Sequence, residues 1–280
     1  MITVCVVMQK HNYLNHYNSI NMIEIILFRI SALPVILIAI YIYKKDKEKE
    51  PLHLLIKLFL AGIGSCFLVI LLTFILESIF PFFKLNKESL NLFELFISVF
   101  IGIAFIEELC KWIMAYFISF NNKENEEIYD TIIYTVFVSL GFAFFENLLY
   151  VYQNGVGTGI LRAVLSVPGH ACDGVFMGYF LGLAKKSSLK KEKGKHKYIL
   201  LSIITPTLLH GFYDYCIFSE NPILILLFFI FVIIQYVITI KIIKKVSKNN
   251  KKIKYNNNYC PQCGTPVKTD YCTKCGNKNI

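Results

Sequence analysis

Long apolar stretches recur along this chain, and they restrict its fold more than any other feature. A helix needs about 20 apolar residues to cross a bilayer core. Seven segments come near or exceed that length: roughly 22–43, 52–80, 91–119, 131–152, 159–184, 198–218 and 222–243. Charged residues make up only 17% of the 280, whereas soluble proteins carry about a quarter. The sequence therefore predicts an all-α multi-pass membrane protein, a bundle of about seven transmembrane helices.

Composition changes at both ends of this apolar region. Residues 1–21 are polar and carry no signal-peptide cleavage pattern, so they are interpreted as a disordered extension or a wrongly assigned start. Residues 22–246 form the predicted membrane domain. A basic linker, residues 247–258, then leads to a small cysteine-containing module at residues 259–277.

The net charge of +10 lies mostly in lysines at the junctions between apolar segments, so no nucleic-acid partner is expected. Four lysines fall in YKKDKEKEP, one in NNKENEEIYD, seven in KKSSLKKEKGKHKY and seven in the tail KIIKKVSKNNKKIKY. The alternate junctions carry two, none and none. Cytoplasmic loops are enriched in lysine and arginine. This predicts a cell-membrane protein with its N-terminus outside and its C-terminal module in the cytoplasm.

Four neighbouring spans carry polar or ionisable residues at depth, where each charged group costs about 2.5–3.5 kcal/mol on insertion scales. They are Glu107, Glu108 and Lys111 in the third span, Glu146 and Asn147 in the fourth, His170 and Asp173 in the fifth, and His210 and Asp214 in the sixth. One such residue alone is explained equally well by a structural hydrogen bond or a helix-internal ion pair. Four adjacent spans with acids or imidazoles favour an interior reaction site or an ion path.

Helical periodicity predicts which way some of these groups face. Glu107 and Lys111 lie one turn apart, as do His210 and Asp214. His170 begins a stripe at every fourth position that continues with three glycines, Gly174, Gly178 and Gly182. Because small residues at this spacing let membrane helices approach closely, His170 is predicted to face the bundle interior.

The residue types suit two kinds of chemistry. An ionised carboxylate can take a proton from water, and a histidine can hold that water or stabilise a developing oxyanion. This is a plausible set of groups for amide hydrolysis. The same cluster would equally serve a proton relay in an ion-coupled transporter, which is the alternative function.

Five motifs in order along residues 22–246 carry a family resemblance. They are the charged junction with Asp46, Glu50 and Pro51; the EExxK motif from Glu107 to Lys111; the FxxxEN motif from Phe142 to Asn147; His170 with the GYFLG run; and HGFYD from His210 to Asp214. Together they resemble the PrsW family of glutamic-type intramembrane proteases, which is related to the superfamily of CAAX-prenyl endopeptidases and ABI proteins.

The resemblance implies an intramembrane endopeptidase that uses glutamate-activated water. The catalytic residues it implies are Glu107, Glu108, Lys111, Glu146, His170, His210 and Asp214. Glu107 is predicted to be the base because it shares a helix face with Lys111, with Glu108 positioning the water or sharing the proton. Asp173 has no counterpart in the family motif and is given no role.

The resemblance also implies the partners. The substrate would be a membrane-anchored regulatory protein, similar to an anti-sigma factor, cleaved in the bilayer as part of a stress response. Two glutamates and two histidines could bind zinc by composition. The mechanism favoured here is nevertheless a glutamate mechanism without an active-site metal.

The C-terminal module pairs Cys260 with Cys263 and Cys272 with Cys275 in two CxxC motifs that have eight residues between them. This spacing predicts a small zinc ribbon with structural zinc. The alternative is two disulfides, which a reducing cytoplasm disfavours. The expected role is regulation or docking of a cytoplasmic protein.

Hydrolysis requires the motif residues to meet. Glu107, Glu146, His170 and His210 are therefore expected around one water-accessible pocket. Since Glu107 lies past the middle of a long span, the third helix is predicted to begin outside the bilayer.

Overall fold

The computed structural model describes residues 2–83, 91–249, 253, 260, 265 and 271–276, with side chains from residue 24 onwards. Eight α-helices form the described part, which contains no β-strand: α1 Ile2–Lys45, α2 Leu52–Ile79, α3 Leu92–Ile97, α4 Ile106–Ser119, α5 Ile128–Val164, α6 Ser166–Lys190, α7 Lys195–Phe218 and α8 Pro222–Lys248. A 3₁₀ turn occupies Pro81–Phe83, and a π-helical segment, Ser98–Phe105, joins α3 to α4. The predicted all-α membrane fold is confirmed.

Each predicted span is helical, but the helices differ in how well they suit a bilayer. Within the described residues, four stretches are long and apolar enough to cross one: Glu24–Lys45, Leu52–Ile79, Ile128–Lys190 and Pro222–Lys248. The third of these holds two predicted spans in one stretch. The predicted third span is interrupted by the π-helical segment, which leaves α4 with 14 residues. The predicted count of seven is thus approximate.

Helix α1 begins earlier than predicted. Its backbone is helical from Ile2 to Lys45, so it runs without a break through residue 22, the predicted start of the first span. The side chains of residues 2–23 lie outside the described residues. Further along the chain, the short helix α3 begins with a capping box: the Asn91 side chain accepts a hydrogen bond from the Glu94 amide, and the Glu94 side chain accepts one from the Asn91 amide.

Glycine contacts hold α5 and α6 close together along the stripe that follows His170. A Cβ at Gly178 would stand 2.2 Å from Thr135 Oγ1 and 2.5 Å from Ile132 Cα. The Thr135 hydroxyl also donates to the Gly174 carbonyl at 2.8 Å. His170 at the head of the stripe is 5% exposed, so the predicted inward direction of this face is confirmed.

Two irregular backbone segments lie near the polar residues. Gly155 has φ 79° and ψ −174°, and it divides α5 into a long N-terminal part and a short final part. That conformation is essentially restricted to glycine. The π-helical segment packs on α7, where a Cβ at Gly211 would stand 2.6 Å from the Phe100 ring. This close approach places α7 directly beside the chain that leads into α4.

The lysine-rich junctions and the tail meet at one end of the bundle. Three hydrogen bonds join them: Lys47 Nζ to the Lys248 carbonyl at 2.9 Å, Lys185 Nζ to the Asn122 carbonyl at 3.1 Å, and the Ile253 amide to the Glu126 carbonyl at 2.8 Å. The alternation of lysine counts predicts that these segments lie on one side of the membrane, and their contacts at one end of the bundle agree with that prediction.

The charged junction between α1 and α2 is also at this end. Asp46 and Glu50 are 4% and 6% exposed, and the Tyr134 hydroxyl of α5 donates to Glu50. Burial raises the pKa of Asp46 and raises the pKa of Glu50 to about 7. The hydrogen bond between Tyr134 and Glu50 therefore connects the α1–α2 junction to α5.

The α5–α6 contact gives a direct test. Replacing Gly178 by Ala puts a methyl group against the backbone of α5, so Gly178→Ala should lower the free energy of unfolding by about 1–3 kcal/mol, the usual cost of overpacking. Gly64→Ala is the matched control, because nothing lies within 4 Å of a Cβ there. Thermal unfolding in detergent should show a lower midpoint for Gly178→Ala alone. An unchanged midpoint would contradict the close packing.

Candidate active site

One cavity of about 320 Å³ gathers polar residues from five helices. The four residues expected to converge all line it, together with further polar side chains: Glu107, Glu146, His170 and His210, with Tyr150, Arg162, Asp173, Tyr213, Asp214 and Gln235. The structure thus brings the third, fourth, fifth and sixth predicted spans together at one place.

Behind the cavity, Glu108 and Lys111 form an ion pair of 2.5 Å within α4, and neither side chain has any exposure. Lys111 was predicted to share a face with Glu107, four residues away. The structure instead pairs it with Glu108, three residues away, because both spacings bring helical side chains together. Nearness to Lys111 therefore does not single out Glu107 as the base, and its role must rest on other contacts.

Phe142 of the FxxxEN motif packs against this ion pair. Its ring centroid is 4.4 Å from Lys111 Nζ, and its ring is 5.5 Å from that of His170 in an edge arrangement. An aromatic face stabilises a desolvated ammonium group. Phe142 thus provides one wall for Lys111, and one turn later the same helix presents Glu146 to the cavity.

His210 links the hidden ion pair to the cavity. Its Nδ1 lies 2.8 Å from Glu108 Oε1. Its other nitrogen, Nε2, lies 3.3 Å from Asp214 Oδ2 and 3.8 Å from Glu107 Oε2. The predicted pairing of His210 with Asp214, one turn apart on α7, is present. One imidazole therefore contacts three carboxylates from two helices.

His170 occupies the opposite wall. Its Nε2 lies 2.9 Å from Glu146 Oε2, and its Nδ1 lies 3.4 Å from Lys111 Nζ. The ring also stands edge-on to His210, with 5.2 Å between centroids. The two histidines thus point towards one another in the site, and they do not point to opposite sides of the bundle.

Sequence reasoning gave no role to two charged residues that line this site, Asp173 and Arg162. Asp173 lines the cavity at 3% exposure, and Gln235 Nε2 of α8 donates to its Oδ1 at 3.1 Å. Arg162 also lines the cavity and donates to Glu146 Oε2 at 2.7 Å. The available signals were the position of Asp173, three residues after His170, and the presence of an arginine in the apolar run GILRAV.

A sequence model of the PrsW family, described as intramembrane metalloproteases, matches residues 50–240. The chain belongs to this family. The match begins at the buried Glu50 and includes every residue that lines the cavity. The chain is therefore a membrane peptidase, which hydrolyses peptide bonds.

Several curated relatives named Protease PrsW are similar to this chain. The Oceanobacillus iheyensis protein is 35% identical over 77% of this chain and 94% of its own length. The Bacillus subtilis protein is 36% identical over 65% of this chain and 78% of its own length. The Clostridioides difficile protein is 31% identical over 82% of this chain and 95% of its own length. No solved structure matches.

The family description includes a metal, and four buried donors lie close enough together to be candidate ligands: Glu108, His170, Asp173 and His210, with one atom from each within 4.8 Å of the others. Their types suit zinc. However, the Lys111 ammonium already lies 2.5 Å from Glu108 and 3.4 Å from His170. Like charges repel strongly in a low-dielectric interior. In this arrangement the four residues do not fit a divalent metal.

The cysteine module offers a second candidate metal site. The sulfurs of Cys260, Cys272 and Cys275 lie within 4.8 Å of one another, whereas the fourth predicted ligand, Cys263, lies outside the described residues. The Cys260 and Cys275 sulfurs are 3.4 Å apart, far beyond a disulfide bond of about 2.05 Å. Thiolates around tetrahedral zinc stand about 3.8 Å apart. The three described cysteines therefore fit a zinc site.

Proposed function

We propose that the cavity is where this peptidase hydrolyses a peptide bond of a membrane-embedded substrate, with Glu107 as the general base. The observation that carries the assignment is the difference between the two adjacent glutamates. Glu107 lines the cavity, and its side chain is 13% exposed. Glu108 is fully buried in its ion pair with Lys111. Of the two, only Glu107 is placed to reach water.

The reaction needs one proton to move twice. Glu107 takes a proton from water as the water oxygen bonds to the scissile carbonyl carbon. The tetrahedral intermediate then loses its C–N bond, and the departing nitrogen receives the proton from Glu107 or through His210, whose Nε2 lies 3.8 Å from Glu107 Oε2. The products are a carboxylic acid and an amine. General acid–base catalysis of this kind contributes about 10²–10⁴-fold.

Glu108 and Lys111 act as positioning residues in this scheme. Glu108 Oε1 accepts from Lys111 and contacts His210 Nδ1, which turns Nε2 of His210 towards the cavity. Asp214 lies beside that same Nε2. Glu108, which Lys111 holds in place, and Asp214 together fix the orientation of the His210 imidazole. Proton transfer is efficient when the donor and acceptor are held in such a fixed geometry.

Glu146 and His170 form the second polar wall. Their hydrogen bond faces the cavity from α5 and α6, opposite Glu107 and His210. We assign them to hold the scissile peptide in place for attack by water. No step of this scheme passes through a metal, because the Lys111 ammonium already contacts Glu108 and His170, two of the four candidate donors.

The proposed substrate is a membrane-anchored regulatory protein, of the anti-sigma-factor type that the family resemblance implies. Support comes from the setting of the cavity, which lies among helices that present apolar side chains outwards, such as Leu161 and Leu208. A transmembrane segment fits such surroundings better than a soluble peptide does.

We further propose that the lysine-rich end of the bundle is cytoplasmic, with the N-terminus outside, and that residues 259–277 form a zinc ribbon joined to the membrane domain by the basic linker at residues 247–258. The positive-inside rule supports the orientation. The three grouped cysteines support the zinc site. The ribbon would regulate the protease or dock a cytoplasmic protein.

The base assignment predicts different behaviour for the two glutamates. Glu107→Gln should abolish cleavage with little change in unfolding temperature, because glutamine keeps the shape but cannot accept the proton. Glu108→Gln should lose activity and also unfold earlier, since it leaves Lys111 buried without its counter-ion. Cleavage is measured by co-expression with candidate single-pass membrane proteins and mass spectrometry of the fragment ends.

Glu124→Gln is the matched control, because it removes one exposed carboxylate from the α4–α5 loop, outside the cavity. It should cleave like the unmodified protein. Full activity of Glu107→Gln would refute the base assignment. Intact substrates together with measurable ion flux through the unmodified protein would favour the proton-relay alternative.

The metal assignments predict a zinc content. The purified full-length protein should hold about one zinc ion per chain, because the four cysteines of the module supply the ligands of one tetrahedral site, whereas the Lys111 ammonium contacts two of the four cavity donors. Cys272→Ser should reduce that content to near zero, unfold the ribbon and leave the thermal unfolding of the membrane domain unchanged. Zinc is measured by mass spectrometry of the metal.

A second zinc ion that survives Cys272→Ser and disappears on replacing His170 would overturn the metal-free scheme. Cys172→Ser is the control for thiol removal, since Cys172 is a buried cysteine on α6 away from the module. It should keep the zinc content of the unmodified protein.

A further inference from the structure

The kink in α5 creates a contact that a regular helix would forbid. Arg162 follows Glu146 by 16 residues, so in a straight helix the two would stand about 24 Å apart at 1.5 Å per residue. Their side chains are instead joined at 2.7 Å. The turn at Gly155, with its positive φ, sends the last part of α5 back along the helix that it has just left. The fold thereby delivers a cation to the cavity.

Arg162 is bound by three neighbouring residues of that helix. Its Nη2 donates to Glu146 Oε2 at 2.7 Å, and its Nε donates to Asn147 Oδ1 at 3.2 Å. The guanidinium lies 4.0 Å from the centroid of the Tyr150 ring. A planar guanidinium can make all three contacts at once, whereas an ammonium group cannot.

The surroundings make this cation costly without these contacts. Its neighbours Ile160, Leu161 and Val164 are 55%, 64% and 61% exposed on the apolar outer surface, while the Arg162 side chain is only 15% exposed. A charged residue in such surroundings is retained when it pairs with another group inside the bundle. Its partner here is Glu146, a residue of the proposed site.

The contacts of Glu146 also fix the hydrogen bonding of His170. Arginine and lysine can only donate hydrogen bonds, and an ionised carboxylate can only accept them. Glu146 Oε2 accepts from Arg162 and faces His170 Nε2 at 2.9 Å, so Nε2 must donate. His170 Nδ1 faces Lys111 Nζ at 3.4 Å, so it must accept. The geometry selects a neutral imidazole with its proton on Nε2.

We propose that Arg162 is a positioning residue of the site, acting through Glu146 to hold His170 in this tautomer and orientation. Arg162 makes Glu146 a pure acceptor and aims its Oε2 at His170. The catalytic role of these contacts rests on the proposed function, whereas the contacts themselves are independent of it. This series of contacts runs from Arg162, after the α5 kink, through Glu146 and His170 to Lys111, and so connects both walls of the cavity.

The structural effect is tested without substrate. Nitrogen NMR of the full-length protein labelled at histidine should show His170 with its proton on Nε2. Arg162→Ala should weaken that signal in favour of other forms, and Arg162→Lys should preserve it in part. Arg29→Ala is the matched control, because Arg29 is the other arginine of the chain, is exposed and should leave the signal unchanged. An unaltered His170 signal in Arg162→Ala would overturn the proposal.

The catalytic effect is tested on a cleaved substrate. Arg162→Ala should lower kcat by about 10- to 100-fold, the rate equivalent of a lost charge-assisted hydrogen bond. Guanidinium ion added to Arg162→Ala should restore part of the activity, because the vacated position opens to the cavity. The same ion should not restore Glu107→Gln. A loss of activity that neither guanidinium nor Arg162→Lys reverses, with early thermal unfolding, would show a merely structural role and refute positioning.

The two proposals fail separately. If Glu107→Gln cleaves normally, the base assignment falls while the NMR result still decides whether Arg162 sets His170. If Arg162→Ala leaves both kcat and the His170 signal unchanged while Glu107→Gln is inactive, the positioning role alone is refuted.

Discussion

The buried ion pair between Glu108 and Lys111 is the interaction on which the arrangement of this site depends. Neither side chain has any exposure, and a charge left alone in such surroundings costs several kcal/mol. The other helices supply the compensation. Phe142 of α5 faces the ammonium, and His210 of α7 and His170 of α6 contact one member each. Four helices thus take their positions around one pair of charges.

This polar centre requires close backbones and irregular turns around it. Glycines let α5 and α6 approach until a single methyl group would clash, which brings His170 within reach of Glu146. The π-helical segment ends at Phe105, just before the glutamates, and such wide turns often occur at functional sites. Gly155 then returns the end of α5 to the cavity. The turn at Gly155 thus permits the polar contacts of Arg162, which a straight helix would not make.

The membrane class, the segments and the convergence of four motif residues were predictable from apolar length, lysine placement and a family resemblance. The partner of Lys111 was not. Spacings of three and four residues both bring helical side chains together, and the choice depends on which glutamate the neighbouring helices enclose. The role of Arg162 was equally hidden, because its contact with Glu146 exists only after the turn at Gly155. The residue pattern within one helix does not show that the chain turns back on itself after that helix.

The central claim is that Glu108 and Lys111 stabilise the bundle as a pair, and a double-mutant cycle measures this directly. Unfolding free energies are compared for the unmodified protein, Glu108→Gln, Lys111→Met and the double variant. Each single change should cost about 3–5 kcal/mol. The double variant should lose less than the sum of the two, with a coupling energy of about 3 kcal/mol, because no charge is then left unpaired. Losses that simply add, with a coupling energy near zero, would contradict the account.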